Sequence, residues 1–183
     1  SQQMVLGVHS NVAGNQKEFT AGHAWLSIHY QGKVTTYGLW PDTHPAVTNN
    51  GPASDVRINM ESTSKAVASR YYRLTSGQAM HFNSIMSSIH TWGYSNNCSS
   101  WASDVVRSLV GEDIDADDWA GIETPRELGK NILKLEAKHP TSPMVPRSEI
   151  ETRAPLFLQF FSMSNSFSKK LISLLTAGTF LYS

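Results

Sequence analysis

Alternation of apolar and other positions predicts a sheet in the first half of the chain. Residues 24–30 alternate with a period of two, which is typical of a strand with one buried face. A tight turn at residues 31–33 and a returning run rich in Val, Thr and Tyr make this a hairpin. The predicted strands cover residues 4–10, 24–30, 34–40, 56–60 and 66–74.

Helical spacing and capping residues predict three helices after the last of these strands. The first begins after Thr75 and ends near residue 92, and the second begins at residue 96 or 97 and is closed by Gly111. The third begins at Thr124, with Pro125 in its first turn. Strands followed by helices predict an α+β fold, a small antiparallel sheet with packed helices.

The last part of the chain differs in character from the rest. We predict one folded domain over residues 1–140, and a linker with an apolar C-terminal helical segment over residues 141–183. From residue 156 onward there is no acidic residue, and Lys169 and Lys170 are the charges. This segment is interpreted as a helix docked on the core, and the alternative is contact with a membrane surface or a partner.

Composition and charge exclude several classes of protein. The chain has 183 residues with 15 basic and 15 acidic side chains, and this zero formal charge argues against nucleic-acid binding. The single Cys98 excludes an internal disulfide framework and a multi-cysteine metal site. The acidic run at residues 112–118 resembles a calcium loop but has Asp118 where glycine is needed, so it is interpreted as a solvated turn. We predict no cofactor and no metal. We recognise no signal peptide and no membrane span.

Two residues form a candidate catalytic pair. His23 lies at the start of a predicted strand, and Cys98 lies at the start of a predicted helix. The unpaired amides and partial positive charge of a helix N-terminus lower the pKa of a thiol. An imidazole on a neighbouring strand can take the proton and hold the thiolate as an ion pair. The alternative is that Cys98 is a small buried apolar residue.

The two motifs resemble a known group of enzymes. GHAWLSI at residues 22–28, a glycine-containing hairpin turn, and NCSSWA at residues 97–102 resemble the permuted papain-like hydrolases. These include permuted NlpC-type cell-wall peptidases and lecithin:retinol acyltransferase-like enzymes. In the unpermuted NlpC-type enzymes the cysteine helix precedes the histidine hairpin, whereas here that order is reversed. The resemblance covers about residues 4–135.

The resemblance implies roles for individual residues of the 1–140 domain. Cys98 would be the nucleophile and His23 the general base, with the amide of Cys98 or Ser99 near the oxyanion hole. The group usually has a third polar residue on the strand after the turn, which orients the imidazole. Thr36 is nearest to that place in this chain, and threonine orients an imidazole poorly. The identity of the third residue therefore stays open. The site is either a plain dyad, or the imidazole is oriented by Asp42, His44, a backbone carbonyl or Thr36 itself.

The resemblance also implies a substrate. Bacterial members resemble amidases and endopeptidases that cut the peptide stem of peptidoglycan, including antibacterial effectors of type VI secretion systems. We therefore expect a cysteine hydrolase that is secreted without a signal peptide and acts in the periplasm of a target bacterium. Expected partners are the peptidoglycan peptide, an immunity protein and a component of the secretion system. The alternatives are an acyltransferase or thioesterase of the same group, and a non-enzymatic membrane-binding or partner-binding module.

Overall fold

The computed structural model describes residues 3–14, 22–47 and 54–148. Its main element is a five-stranded sheet in the order β4-β3-β2-β1-β5, in which every pair of neighbours is antiparallel. The predicted α+β class with an antiparallel sheet is confirmed. The strands of this sheet are β1 (Val5–Ser10), β2 (Ala24–Tyr30), β3 (Lys33–Leu39), β4 (Val56–Ile58) and β5 (Ala68–Arg73).

The predicted hairpin between β2 and β3 is confirmed. Gln31 and Gly32 both have positive φ, at 53° and 73°, and Tyr30 pairs with Lys33 across the turn. A two-residue turn with positive φ at both positions matches the right-handed twist of the flanking strands. This turn fixes the register of β2 against β3 and therefore fixes which side chains share a face.

The three predicted helices are present as α1 (Ser76–Met86), α2 (Cys98–Val110) and α3 (Pro125–Lys138). Asn97 caps the N-terminus of α2, and Gly111 ends it in the left-handed conformation with φ 72°. The prediction that the first helix continues to residue 92 is wrong. The Ser87 hydroxyl bonds the Asn83 carbonyl, and the His90 ring bonds the Ile85 carbonyl. These side chains satisfy the last carbonyls, so α1 ends at Met86.

Helices α2 and α3 pack against one face of the sheet. Leu6, Val8 and Leu26 are fully buried there, in one apolar cluster with residues of the three helices. The expectation that β2 has a single buried face is wrong, because Trp25 and Ser27 are also buried, at 3% and 2% exposure. On the second face His9 stacks on Trp25 and bonds the Ser27 hydroxyl across the strands, so both faces of β2 are buried over residues 24–28.

A short hairpin that the sequence patterns did not predict precedes α3. It joins β6 (Asp117–Trp119) to β7 (Ile122–Glu123) through Ala120 and Gly121, which both have positive φ. Asp118 from the acidic run bonds the Arg126 guanidinium and the Thr124 hydroxyl. Part of the acidic run therefore stabilises the start of α3. In residues 3–14, 22–47 and 54–148 no group of three potential ligands is placed to hold a metal ion.

Residues 141–148 lie along β5. The Arg147 amide donates to the Tyr71 carbonyl, and the Arg73 amide donates to the Arg147 carbonyl. Beneath them Arg70 is fully buried, and its guanidinium bonds the Glu112 carboxylate through two nitrogens and Glu136 through a third. The remainder of the predicted C-terminal segment lies outside the described residues. Across the described ranges, no helix has the length and apolar character needed to cross a bilayer.

Candidate active site

Cys98 is the first residue of α2 and is partly exposed. The Asn97 side-chain oxygen accepts hydrogen bonds from the backbone amides of Ser99 and Ser100, and its side-chain nitrogen Nδ2 donates to the Glu123 carbonyl at 2.7 Å. The cap therefore anchors the start of the helix to β7. The predicted position of the thiol at a helix N-terminus, where the helix dipole favours an anion, is confirmed.

His23 immediately precedes β2 and lies against Cys98. Its amide donates to Asn11 Oδ1 at 2.7 Å, and its carbonyl accepts from the Asn11 amide at 3.2 Å. These two bonds fix the backbone of His23 at the end of the sheet. The imidazole is 14% exposed and lies near enough to the Cys98 thiol for each group to shift the pKa of the other. The structure thus brings together the two side chains that the sequence motifs indicated.

The two groups shift each other's pKa toward an ion pair. Burial alone lowers the pKa of His23, but its hydrogen bonds and charge attraction to Cys98 and to Glu61 outweigh burial and raise it to about 9. Burial alone raises the pKa of the Cys98 thiol. The hydrogen bond and charge of His23 outweigh it, so the pKa of Cys98 lies below its ordinary value. Both shifts therefore favour a thiolate facing an imidazolium over the neutral pair of groups.

Two further groups lower the pKa of the Cys98 thiol. The pairing of β2 with β3 ends at Leu26 and Tyr37, so Ala24 lies beyond the ladder on that side. The Ala24 amide lowers the pKa of Cys98, and so does the Ser99 hydroxyl, which lies 3.9 Å from the sulfur. Both contacts favour the thiolate over the thiol.

Glu61 is a functional candidate that the sequence reasoning missed. Its Oε1 lies 2.7 Å from His23 Nε2, and its side chain is fully buried. Trp40 Nε1 donates to the same oxygen at 2.6 Å, and the Thr36 hydroxyl donates to Oε2 at 3.0 Å. Because Nε2 is occupied by the carboxylate, Nδ1 is the ring nitrogen left to face the sulfur. The carboxylate therefore fixes both the orientation and the tautomer of the imidazole.

A local bend and a glycine place Glu61 over β3. Asn59 has a positive φ of 62°, and its amide and its Oδ1 bond the carbonyl and the amide of Thr36 at 2.9 and 3.1 Å. This turn carries the chain back across the sheet. Gly38 leaves room for the carboxylate, because a Cβ at that position would overlap Glu61 Oε1 and lie 2.8 Å from Trp40 Nε1.

The three side chains considered as the third residue have other roles. Thr36 bonds Glu61 and so supports the carboxylate. Asp42 bonds the Arg57 guanidinium at 2.6 Å. His44 packs edge-on against the Trp40 ring, with centroids 4.6 Å apart. The bond to His23 Nε2 is made instead by Glu61, whose other carboxylate oxygen accepts from the Thr36 hydroxyl.

Comparison with models of protein families, with curated proteins and with solved structures found no match. The meaning of the site therefore depends on its own chemistry. It has a partly exposed thiol with a lowered pKa, an imidazole that contributes to lowering it and a buried carboxylate hydrogen-bonded to the imidazole. A thiol, an imidazole and a carboxylate placed in this way can serve as nucleophile, base and orienting group.

Proposed function

We propose that this protein is a cysteine hydrolase that cleaves amide bonds in the peptide stem of bacterial peptidoglycan. The observation that carries the proposal is the series from Cys98 to Glu61, in which the thiol and the His23 imidazole shift each other's pKa and the imidazole bonds the Glu61 carboxylate. Such a series activates a thiol at neutral pH and keeps the base in one orientation. Neither a buried structural cysteine nor a histidine used only for packing needs a buried carboxylate behind the imidazole.

The geometry supports a two-step reaction. The Cys98 thiolate attacks the amide carbonyl carbon, and His23 gives its proton to the leaving amine as the C–N bond breaks, which leaves a thioester. His23 then takes a proton from water, the hydroxide attacks the thioester carbonyl, and the acid product leaves with the thiolate restored.

The proposed oxyanion site lies at the start of α2. The Ser99 amide is engaged by Asn97, which removes one of the two amides expected to bind the oxyanion. We assign this role to the Cys98 amide, which lies at the first helical position, where an N–H has no acceptor within the helix. Preorganised donors of this kind stabilise the charge that develops on the carbonyl oxygen.

The permuted papain-like fold belongs to the same proposal. Its support is the small antiparallel sheet with α2 packed against β2 and the order of the motifs, in which the histidine strand precedes the cysteine helix. The substrate, delivery by a secretion system, action in the periplasm of a target bacterium and neutralisation by an immunity protein follow from the motif resemblance. They are proposed on that ground.

Digestion of purified peptidoglycan tests the reaction and the substrate together. We expect the wild-type protein to release new amino termini or shortened stem peptides, and Cys98→Ala and His23→Ala to release none. His81→Ala is the matched control, since His81 is an exposed histidine on α1 and should leave the products unchanged. Release of the same fragments by wild type and Cys98→Ala, or no release by wild type at high enzyme concentration, would contradict the proposal.

Trapping of the covalent intermediate separates hydrolysis of wall peptides from the acyl-transfer alternative. A peptide-based electrophile and an acyl-ester probe are each incubated with wild type and Cys98→Ala, and the adduct is located by mass spectrometry. We expect the peptide probe to modify Cys98. Labelling by the acyl probe alone would replace the wall substrate by a lipid or acyl donor.

Growth assays test the proposed site of action. The chain is expressed in bacteria with and without an added signal sequence for export to the periplasm. We expect lysis only when the wild-type chain is exported, and normal growth with exported Cys98→Ala. Equal growth of exported wild type and exported Cys98→Ala would contradict the proposed role as a periplasmic toxin.

A further inference from the structure

Trp40 follows the last residue of β3 and contacts both His23 and Glu61. Its ring centroid lies 4.0 Å from that of His23, with the planes inclined by 38°. Its Nε1 donates to Glu61 Oε1 at 2.6 Å. One side chain therefore contacts the face of the imidazole and the carboxylate that the imidazole bonds.

The hydrogen bond from Trp40 limits the movement of the carboxylate. Glu61 Oε1 accepts from His23 Nε2 and from Trp40 Nε1, and Oε2 accepts from the Thr36 hydroxyl. A carboxylate held by donors at both oxygens cannot rotate without breaking one of these bonds. The bond to the imidazole is therefore kept in one geometry.

The ring contact favours the charged form of the imidazole. A cation over the face of a tryptophan is attracted by the ring quadrupole, and tryptophan is the best of the aromatic residues for this interaction. The interaction energy of this contact is different for a neutral imidazole, which carries no net charge. Trp40 thus favours the state in which Cys98 is a thiolate.

Trp40 is itself held in place by its neighbours. Its backbone amide donates to the Asp55 carbonyl at 3.0 Å, and His44 packs edge-on against its ring. Asp55 also accepts from the Trp92 amide at 2.6 Å, in the segment that leads to α2. The indole is therefore fixed relative to both sides of the site.

We propose that Trp40 is a positioning residue that holds the His23 imidazolium and Glu61 in one geometry and thereby favours the thiolate form of Cys98. This inference rests on the proposed function for its biological meaning, but it concerns the state of the thiol before any substrate binds. Cys98 from α2 and Glu61 from the segment after β4 are the titratable groups that interact with the imidazole, and His44 packs against the other side of the contact through the Trp40 ring.

The test measures the rate of alkylation of Cys98 by iodoacetamide as a function of pH, which needs no substrate. Trp40→Phe keeps an aromatic face and removes the N–H, whereas Trp40→Leu removes both. We expect the midpoint for thiolate formation to rise by about half a pH unit in Trp40→Phe and by about one unit in Trp40→Leu. Trp92→Phe is the matched control and should titrate like wild type.

A double-mutant cycle separates positioning from a general loss of packing. If Trp40 acts through the carboxylate, Trp40→Phe should have no further effect on the alkylation midpoint in a Glu61→Gln background. Equal midpoints for wild type, Trp40→Phe and Trp40→Leu would overturn the inference, and so would full additivity with Glu61→Gln. Trp40→Phe keeps most of the side-chain volume, so it decides the question if Trp40→Leu does not fold.

Failure of the inference is distinguishable from failure of the proposed function. A wild-type thiol that titrates like a free cysteine would refute both, because no ion pair would exist. A low wild-type midpoint that is unchanged by either Trp40 variant would refute the role of Trp40 alone. A midpoint raised by the variants in a protein that cleaves no wall peptide would support Trp40 and refute the proposed substrate.

Discussion

His9 provides a quantitative test of how the outer face of the sheet is stabilised. It lies on β1, is 6% exposed, and has Nε2 2.7 Å from the Ser27 hydroxyl and Nδ1 2.8 Å from the Ser69 hydroxyl. Its ring stacks on Trp25, with centroids 5.3 Å apart. One serine hydroxyl can donate to the unprotonated ring nitrogen while the other accepts from the ring N–H. This pocket therefore satisfies both nitrogens of a neutral imidazole.

A proton on His9 is therefore unfavourable in the folded protein. Burial, with a smaller contribution from the charge of His29, lowers the pKa of His9 from 6.5 to about 3. In the unfolded chain His9 takes up its proton near pH 6.5, whereas in the folded chain it stays neutral until about pH 3. Stability from this group is present above pH 6.5 and is lost as the pH falls toward 3.

The expected loss between pH 7 and pH 4.5 is about 2.5 kcal/mol, because each pH unit below the unfolded pKa corresponds to about 1.4 kcal/mol. We would measure free energies of unfolding by urea denaturation at both pH values for wild type and His9→Gln. Glutamine offers a donor and an acceptor and does not titrate. Wild type should lose about 2.5 kcal/mol more than the variant, while other titrating groups cancel in the comparison.

Two outcomes would refute this reasoning. The first is equal loss of stability in wild type and His9→Gln, since His9 would then bind a proton in the folded state. The second is an NMR titration in which the His9 ring of the folded wild type becomes protonated above pH 5. The NMR experiment decides the question even if His9→Gln is too unstable to compare. His81→Gln, a change at an exposed histidine, should keep the wild-type dependence on pH.

Three further predictions concern the site and the core. Gly38→Ala should lower the rate of peptidoglycan hydrolysis by about 100-fold, because the new methyl group displaces Glu61; a rate within a factor of about three of wild type would contradict this. The rate should fall as the pH rises above about 9, where His23 loses the proton that pairs it with Cys98; a pH–rate profile with no decline there would argue against the ion pair. Arg70→Met should lower the free energy of unfolding by about 3–5 kcal/mol in urea denaturation, because it removes the buried cation that Glu112 and Glu136 share and leaves Arg147 as the cation bonded to Glu112. A loss below about 1 kcal/mol would mean that the carboxylates find other partners.

Local signals in the sequence were sufficient for the position of the thiol. The cap at Asn97 and the left-handed Gly111 define α2 from residues adjacent to its ends, so the helix and the place of Cys98 on it were predictable. The hairpin was predictable for the same reason, since its two-residue turn joins consecutive strands. Both features depend on neighbours in the chain and on no long-range contact.

The orienting carboxylate was not predictable in this way. Counting along the hairpin led to Thr36, which does share a face with the site, but its hydroxyl bonds Glu61 and not the imidazole. Glu61 reaches His23 only after the register of β4 on β3 and the bend at Asn59 are set. An acidic residue without periodic or motif context gives no sign of that path. A buried partner for an imidazole could be found only from the tertiary structure.

Asparagine side chains explain why one part of the site was predictable from the sequence and the rest was not. Asn97 holds the amides beside Cys98, Asn11 holds the amide of His23, and Asn59 bonds the Thr36 amide and so fixes the turn that leads to Glu61. The first acts within one helical turn, which is a recognisable capping pattern. Asn11 and Asn59 bond residues that lie 12 and 23 positions away in the sequence, where no local pattern marks them. The three catalytic candidates are therefore fixed by backbone hydrogen bonds of the same kind at the rim of the sheet, and only the shortest-range bond leaves a signature in the sequence.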